Sequence, residues 1–296
     1  MSVRVPHTFR KIAFASVFAA ALAASGLSAA AAEDAEEPAS SLELVDPHVF
    51  RVCADPRNLP FSNEAGEGFE NKLAELFAKK LDKKVAYAWY PGATGFVRNT
   101  LNAHKCDVIM GFPQGNDFAQ VTNPYYRTAY ALVFKPGSGL DGVVSLDDPI
   151  LKTKRIGIVA GTPPASYMAK KGLLAKAKSY PLTIDTRFDS TSHAMIDDLK
   201  SGEIDAGILW GPIAGWYAKN ESPTLGIAAL TKEQGGPRLA YRIGMGVRAS
   251  DQEFKRLLNR LIQENQHEID AILLSYGVPL LDEKDQPITS AALSKE

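Results

Sequence analysis

The sequence predicts an α/β protein of two lobes joined by two crossing strands. Extended runs alternate with segments of helical periodicity along the chain, which is the pattern of α/β lobes with largely parallel sheets. The alternation halts at Lys135-Pro136-Gly137-Ser138-Gly139 and restarts near Arg155. Two long runs rich in aromatic and β-branched residues, 125–134 and 239–247, stand where the chain would leave the first lobe and return to it.

Before the first lobe, Arg4, Arg10 and Lys11 precede an alanine-rich apolar run over 12–24, and small residues end in Ala30-Ala31-Ala32. This is the form of a cleaved secretory signal over 1–32, with too short an apolar run for a membrane span. A polar, Glu-rich linker is expected over 33–47. The remaining chain of about 264 residues suits two cores better than one.

Lobe 1 is expected to begin at 48–129. Residues 50–54 read as a strand, Phe69, Leu73, Leu76, Phe77 and Leu81 fall at helical spacing, and Val85, Tyr87 and Trp89 alternate as a half-buried strand would. A helix over 96–103 leads to a strand over 107–111. Lobe 2 is expected over 130–238. It opens on a strand at 155–160, and the helix that follows has Thr162 as N-cap and Pro163 in its first position. A helix over 192–201 closes on Gly202, a strand follows at 204–209, and Pro212 opens a short helix through Tyr217. Lobe 1 resumes over 239–280 with a strand and one long helix, whose apolar face runs from Phe254 to Leu273 before Gly277 and Pro279 stop it. Residues 281–296, including Asp282-Glu283, read as a frayed tail.

Loss of the signal removes three basic residues and shifts the net charge from −1 to about −4, which excludes a nucleic-acid binder on electrostatic grounds. No later segment is long and apolar enough to span a bilayer. The two cysteines, Cys53 and Cys106, lie in or just before strands, and an even count in an oxidising compartment favours a disulfide. Two buried thiols are the alternative, and two sulfurs without a spaced histidine pair make an incomplete metal site.

Gly68-Phe69-Glu70, Asp107-Val108-Ile109-Met110-Gly111, Pro124-Tyr125-Tyr126, Gly161-Thr162 and Gly202-Glu203-Ile204-Asp205-Ala206 occur in an order that resembles extracellular solute-binding proteins of the polar-amino-acid type. The resemblance implies the two-lobed periplasmic binding protein fold, with a cleft that can close by hinge motion. Family members that bind amino acids carry an Arg shortly before the Pro-Tyr-Tyr segment and an Asp five residues after the Asp of Gly-Glu-Ile-Asp-Ala. Here the first stretch is Gln114-Gly115-Asn116-Asp117-Phe118 and the second position is Trp210, so both charged anchors are missing. Without them a zwitterion would lose its water unreplaced. Phe61, Phe69, Phe112, Tyr125 and Trp210 are the candidates for an aromatic groove suited to a hydrophobic ligand or to a partner's side chain, although such aromatics also pack lobe interiors.

Longer matches narrow the resemblance. Arg51-Val52-Cys53-Ala54-Asp55-Pro56, Asn58-Leu59-Pro60-Phe61-Ser62-Asn63, Gly66-Glu67-Gly68-Phe69-Glu70-Asn71, Gly95-Phe96-Val97-Arg98-Asn99-Thr100-Leu101-Asn102-Ala103 and Cys106-Asp107-Val108 resemble the methanol-dehydrogenase-associated J proteins of the MxaJ and XoxJ type. That resemblance implies a periplasmic accessory of a pyrroloquinoline-quinone (PQQ)-dependent methanol dehydrogenase, with the calcium or lanthanide belonging to the partner. No cofactor of this chain's own is expected.

Catalytic signatures are absent: there is no Gly-x-Ser-x-Gly, His-Glu-x-x-His, Walker loop or dinucleotide fingerprint. His48, His104, His193 and His267 are scattered. Gly161 and Thr162 could hold a ligand oxygen at a helix N-terminus, or simply cap that helix. Three functions compete: the non-catalytic partner, a receptor of an ABC-type uptake system for a small neutral or hydrophobic solute, and a dehydratase-like enzyme using Glu70 or Asp55 as acid. No pair with matched acid and base roles supports the third.

Overall fold

A computed structural model of the protein describes residues 43–182 and 190–293; the predicted signal and residues 33–42 of the predicted linker lie outside them. Lobe 1 begins with β1 (Val49–Ala54), a hairpin of β2 (Arg57–Asn58) and β3 (Ser62–Asn63), helix α1 (Phe69–Lys80) and β4 (Lys84–Trp89). Helix α1 buries Phe69, Leu73, Ala74, Phe77 and Ala78 as one apolar stripe. The Asn71 side-chain oxygen accepts from the Gly68 amide at 3.1 Å and so satisfies the helix start. The helix expected over 96–103 is a single turn, α2 (Phe96–Asn99). Thr100 returns its hydroxyl to the Phe96 carbonyl at 2.7 Å, and His104 takes a left-handed φ of +51°, so the chain turns instead of propagating. Then come β5 (Val108–Pro113), β6 (Gln120–Val121) and β7 (Tyr126–Phe134).

Lobe 2 comprises β8 (Ile156–Val159), α3 (Pro163–Lys170), β9 (Lys178–Tyr180), α4 (Thr191–Ser201), β10 (Ala206–Trp210), α5 (Gly211–Asn220) and β11 (Gly226–Ala229). Helix α4 is capped by the Ser190 hydroxyl, which accepts from the His193 amide at 3.2 Å, and it ends at Gly202 with φ +83°. The chain returns through β12 (Ala240–Val247), α6 (Gln252–Glu264) and α7 (Gln266–Ser275), with a last turn α8 (Ser290–Leu293). The single long helix predicted here is therefore two. Asn265 leaves helical geometry at φ −124°, and its side-chain amide donates to the Leu261 carbonyl at 2.8 Å, sharing that acceptor with its own backbone amide at 3.1 Å. The apolar face survives the break, with Phe254, Leu258, Leu261, Ile262, Ile269 and Leu273 all buried.

The strands run in one path, β4-β1-β5-β12-β7-β10-β8-β9. Strand β7 is shared: Tyr126–Ala129 pair with β12, while Tyr130–Phe134 pair antiparallel with β10, Tyr130 lying opposite Trp210. The lobe 1 core gathers Phe50, Phe69, Phe77, Tyr125 and Phe254, and the lobe 2 sheet is covered on both faces by separate apolar clusters around Met168 and Met195. Cys53 and Cys106 form a disulfide, with Cα atoms 5.4 Å apart.

Two terminal segments are better fixed than their composition suggests. The Glu43 carboxylate accepts from the Glu253 and Phe254 amides at 3.1 and 2.8 Å, capping α6 across the fold, and the Val45 amide donates to Asp107 at 2.9 Å. Residues 43–47 are thus part of lobe 1 and not linker. Beside them Arg248, buried, pairs with Asp107 at 2.5 Å and Asp251 at 2.7 Å. The predicted tail also folds back. The Leu281 amide donates to the Arg127 carbonyl at 2.9 Å, Asp282 accepts from the Lys284 and Gln286 amides, and Arg127 pairs with Asp285. No helix among the described residues is long and apolar enough to cross a membrane.

Candidate cleft between the lobes

A cavity of about 1160 Å³ opens where the lobes meet, lined by Asp55, Phe61, Glu70, Arg98, Phe112 and Phe118 from lobe 1, by Tyr126, Tyr130, Tyr241 and Ile243 from the crossing strands, and by Trp210 from lobe 2. Trp210 is placed by a change of element, being the last residue of β10 and the N-cap of α5. Its ring meets Tyr130 and Tyr241 edge to face, with centroids 5.2 and 5.7 Å away. Phe118 stands at the rim, 74% exposed, on a loop held by the Asn116 side chain, which accepts from the Phe118 amide at 3.0 Å.

Of the residues singled out from the sequence, the fold brings Phe61, Phe112 and Trp210 to this cleft. Phe69 and Tyr125, expected to border it, do not reach it: Phe69 is fully buried beneath Phe61, centroids 5.2 Å apart, and the Tyr125 hydroxyl donates to the Met110 carbonyl at 2.7 Å inside the core. Phe69 belongs to the i, i+4 stripe of α1, and strand alternation turns Tyr126, not Tyr125, toward the cleft. Gly161 and Thr162 sit at the turn from β8 to α3 and line neither this cavity nor a smaller polar one beside Arg127, Arg238 and Arg242. The Thr162 hydroxyl donates to the Val159 carbonyl at 2.7 Å, so it closes that turn and caps no helical amide. Tyr130, Tyr241 and Arg98 escaped the sequence reading. The sequence signal for the tyrosines is the period-two spacing of Tyr126 with Tyr130 and of Tyr241 with Ile243, which puts each set on one face of its strand.

Two carboxyls, Asp55 and Glu70, line the cleft. Both Asp55 oxygens are occupied, accepting from the Arg57 and Gly92 amides at 2.8 and 2.5 Å. Burial, reinforced by the negative charge of Asp55, pushes the Glu70 carboxyl up to about 8. It lies where a β-carbon on residue 111 would stand, so Gly111 leaves it room. Tyr126 is raised well above the usual phenol range by burial and by Glu70, and burial next to Tyr241 lifts Tyr130 to about 12. At neutral pH the site therefore offers a protonated carboxyl and phenolic hydroxyls as hydrogen-bond donors among aromatic faces. The lining residues include no histidine, lysine or free thiol. Among the described residues no group of three or more His, Cys, Asp or Glu side chains is placed to hold a metal ion.

No family model matches the chain. It is 27% identical to protein MoxJ of Methylorubrum extorquens over 294 residues, covering 92% of this chain and 97% of that protein. Among solved structures it is similar to the periplasmic binding protein XoxJ from Methylobacterium extorquens AM1, with 40% identity and a TM-score of 0.67 over 79% of this chain and 100% of that one. It is also similar to MxaJ from Methlophaga aminisulfidivorans MPT, with 26% identity and a TM-score of 0.67 over 78% of this chain and 100% of that one.

Proposed function

The chain belongs to the family of the XoxJ and MxaJ periplasmic binding proteins, and from that premise we propose that it is a non-catalytic periplasmic accessory which binds a PQQ-dependent methanol dehydrogenase and assists its maturation or activation. The observation that carries this reading is the cleft itself. It is wide and walled by Phe61, Tyr130, Trp210 and Tyr241, and Phe118 presents a bare ring at its rim. An apolar concavity with an exposed aromatic beside it suits the side chains of another protein. The two charged anchors that hold an amino acid's termini are replaced by Trp210 and by a loop without arginine. The quinone and the calcium or lanthanide ion belong, in this reading, to the partner.

The test is a pull-down with the exported protein as bait against periplasmic extract of its source, with captured proteins identified by mass spectrometry. Methanol dehydrogenase in any assembly state is the expected catch. A bait that captures no dehydrogenase and instead holds a stoichiometric small molecule would replace the partner reading with an uptake receptor for a neutral or hydrophobic solute.

A further inference from the structure

Two crossing strands alone make a hinge, and closure would concentrate at Ala129–Tyr130 on β7 and at Leu239–Ala240 where β12 begins, the points at which the chain passes from one lobe to the other. The lobes are also joined by a third connection. Helix α5 of lobe 2 lies along residues 275–279 of lobe 1, its small residues one turn apart. Gly211 packs on the Ala129 carbonyl and on Pro279, which is held within lobe 1 by the Thr128 hydroxyl donating to its carbonyl at 2.8 Å. One turn on, Gly215 meets Gly277 backbone to backbone, with no room for a β-carbon on either residue. Trp216 then stacks on Tyr276, centroids 5.6 Å apart and planes 22° from parallel, and Tyr276 is anchored in lobe 1 by its hydroxyl donating to the Glu67 carbonyl at 2.6 Å. The Lys219 ammonium finally donates to the Ser275 carbonyl.

From Gly211 to Lys219 the helix advances roughly 12 Å, so the contact runs well away from the crossing point. We propose that this strip is a lock that holds the lobes at a fixed angle and keeps the cleft in its open shape. Rotation about the crossing strands must separate the two glycine backbones and unstack Trp216 from Tyr276. A packed contact of this kind gives way as a unit and does not stretch. The cleft is therefore presented already formed, and an occupant meets it without first selecting a rare closed state.

The experiment measures the distance between lobes by double electron–electron resonance, with spin labels on K79C in lobe 1 and A175C in lobe 2, both exposed, and the native disulfide intact. The otherwise native protein is expected to give a single narrow distance. Combining Trp216→Ala with Lys219→Ala is expected to raise a second, shorter-distance population about tenfold, from roughly 1% to 10% of molecules. Lys219→Ala alone, at an exposed position, provides a milder variant whose fold is checked by circular dichroism and which should broaden the distribution. Two populations in the native protein, or variant distributions that superimpose on the native one, would overturn the proposal.

Discussion

Trp210 stands directly across the β10–β7 register from Tyr130, ring centroids 5.2 Å apart, so that a residue of lobe 2 and a residue of the shared strand together form one wall of the cleft. Trp210→Ala removes this edge contact and the one to Tyr241 while leaving the backbone pairing in place. If the dehydrogenase docks in the cleft, its dissociation constant should rise at least about tenfold, as for truncation of a central aromatic anchor. Biolayer interferometry against the purified dehydrogenase reads this directly, and an unchanged constant moves the docking surface elsewhere.

Glu70 gives a pH signature. In the folded protein it holds its proton up to about 8, whereas the unfolded chain releases it near the ordinary 4.5. Between those values the native state binds the extra proton, so the Glu70 contribution to stability is fully present below about 4.5 and is lost as pH rises toward 8. Glu70→Gln removes the titration. The melting temperature of the variant minus that of the native protein should therefore increase steadily from pH 5 to pH 8. A difference that stays flat across this range would show that Glu70 ionises normally.

The Cys53–Cys106 disulfide closes a segment with a sequence separation of 53 residues. Loop entropy for that length gives a stabilisation of about 4 kcal/mol, within the usual range of 2 to 5. Replacing both cysteines by alanine should lower the urea midpoint and steepen the denaturant slope, because the unfolded chain loses its cross-link and exposes more surface.

Glu43→Ala leaves the Glu253 and Phe254 amides without their side-chain acceptor, and loss of such a cap costs about 1 kcal/mol. Hydrogen exchange at the start of α6 should quicken while α1 is unaffected. Equal exchange in both proteins would mean that solvent serves those amides as well as Glu43 does.

Much of the frame was legible because periodicity reports burial: the stripe from Phe69 to Phe77 and the face from Phe254 to Leu273 both reappear as core. The break at Asn265 was not, since an apolar face persists through a one-residue interruption. Nor was the anchoring of Glu43 and Asp285, because each depends on a partner far along the chain, α6 for one and Arg127 for the other. At the site, missing charges could be read by position. Which of two adjacent tyrosines turns toward the cleft depended on strand register, so Tyr125 was chosen over Tyr126 and the facing Tyr130 and Tyr241 were passed over.

Strand β7 gives four residues to one sheet and five to the other without interruption. There is consequently no peptide bond at which the chain can be cut to yield two self-sufficient halves. A fragment ending at Ala129 lacks β12, the neighbour of β5 and of this strand's first half, and one ending at Phe134 carries an unpaired apolar edge into solvent. Chimeras that exchange whole lobes between relatives should therefore be tolerated best when the first junction falls between Ala129 and Tyr130, so that the donor brings its own copy of this strand's second half.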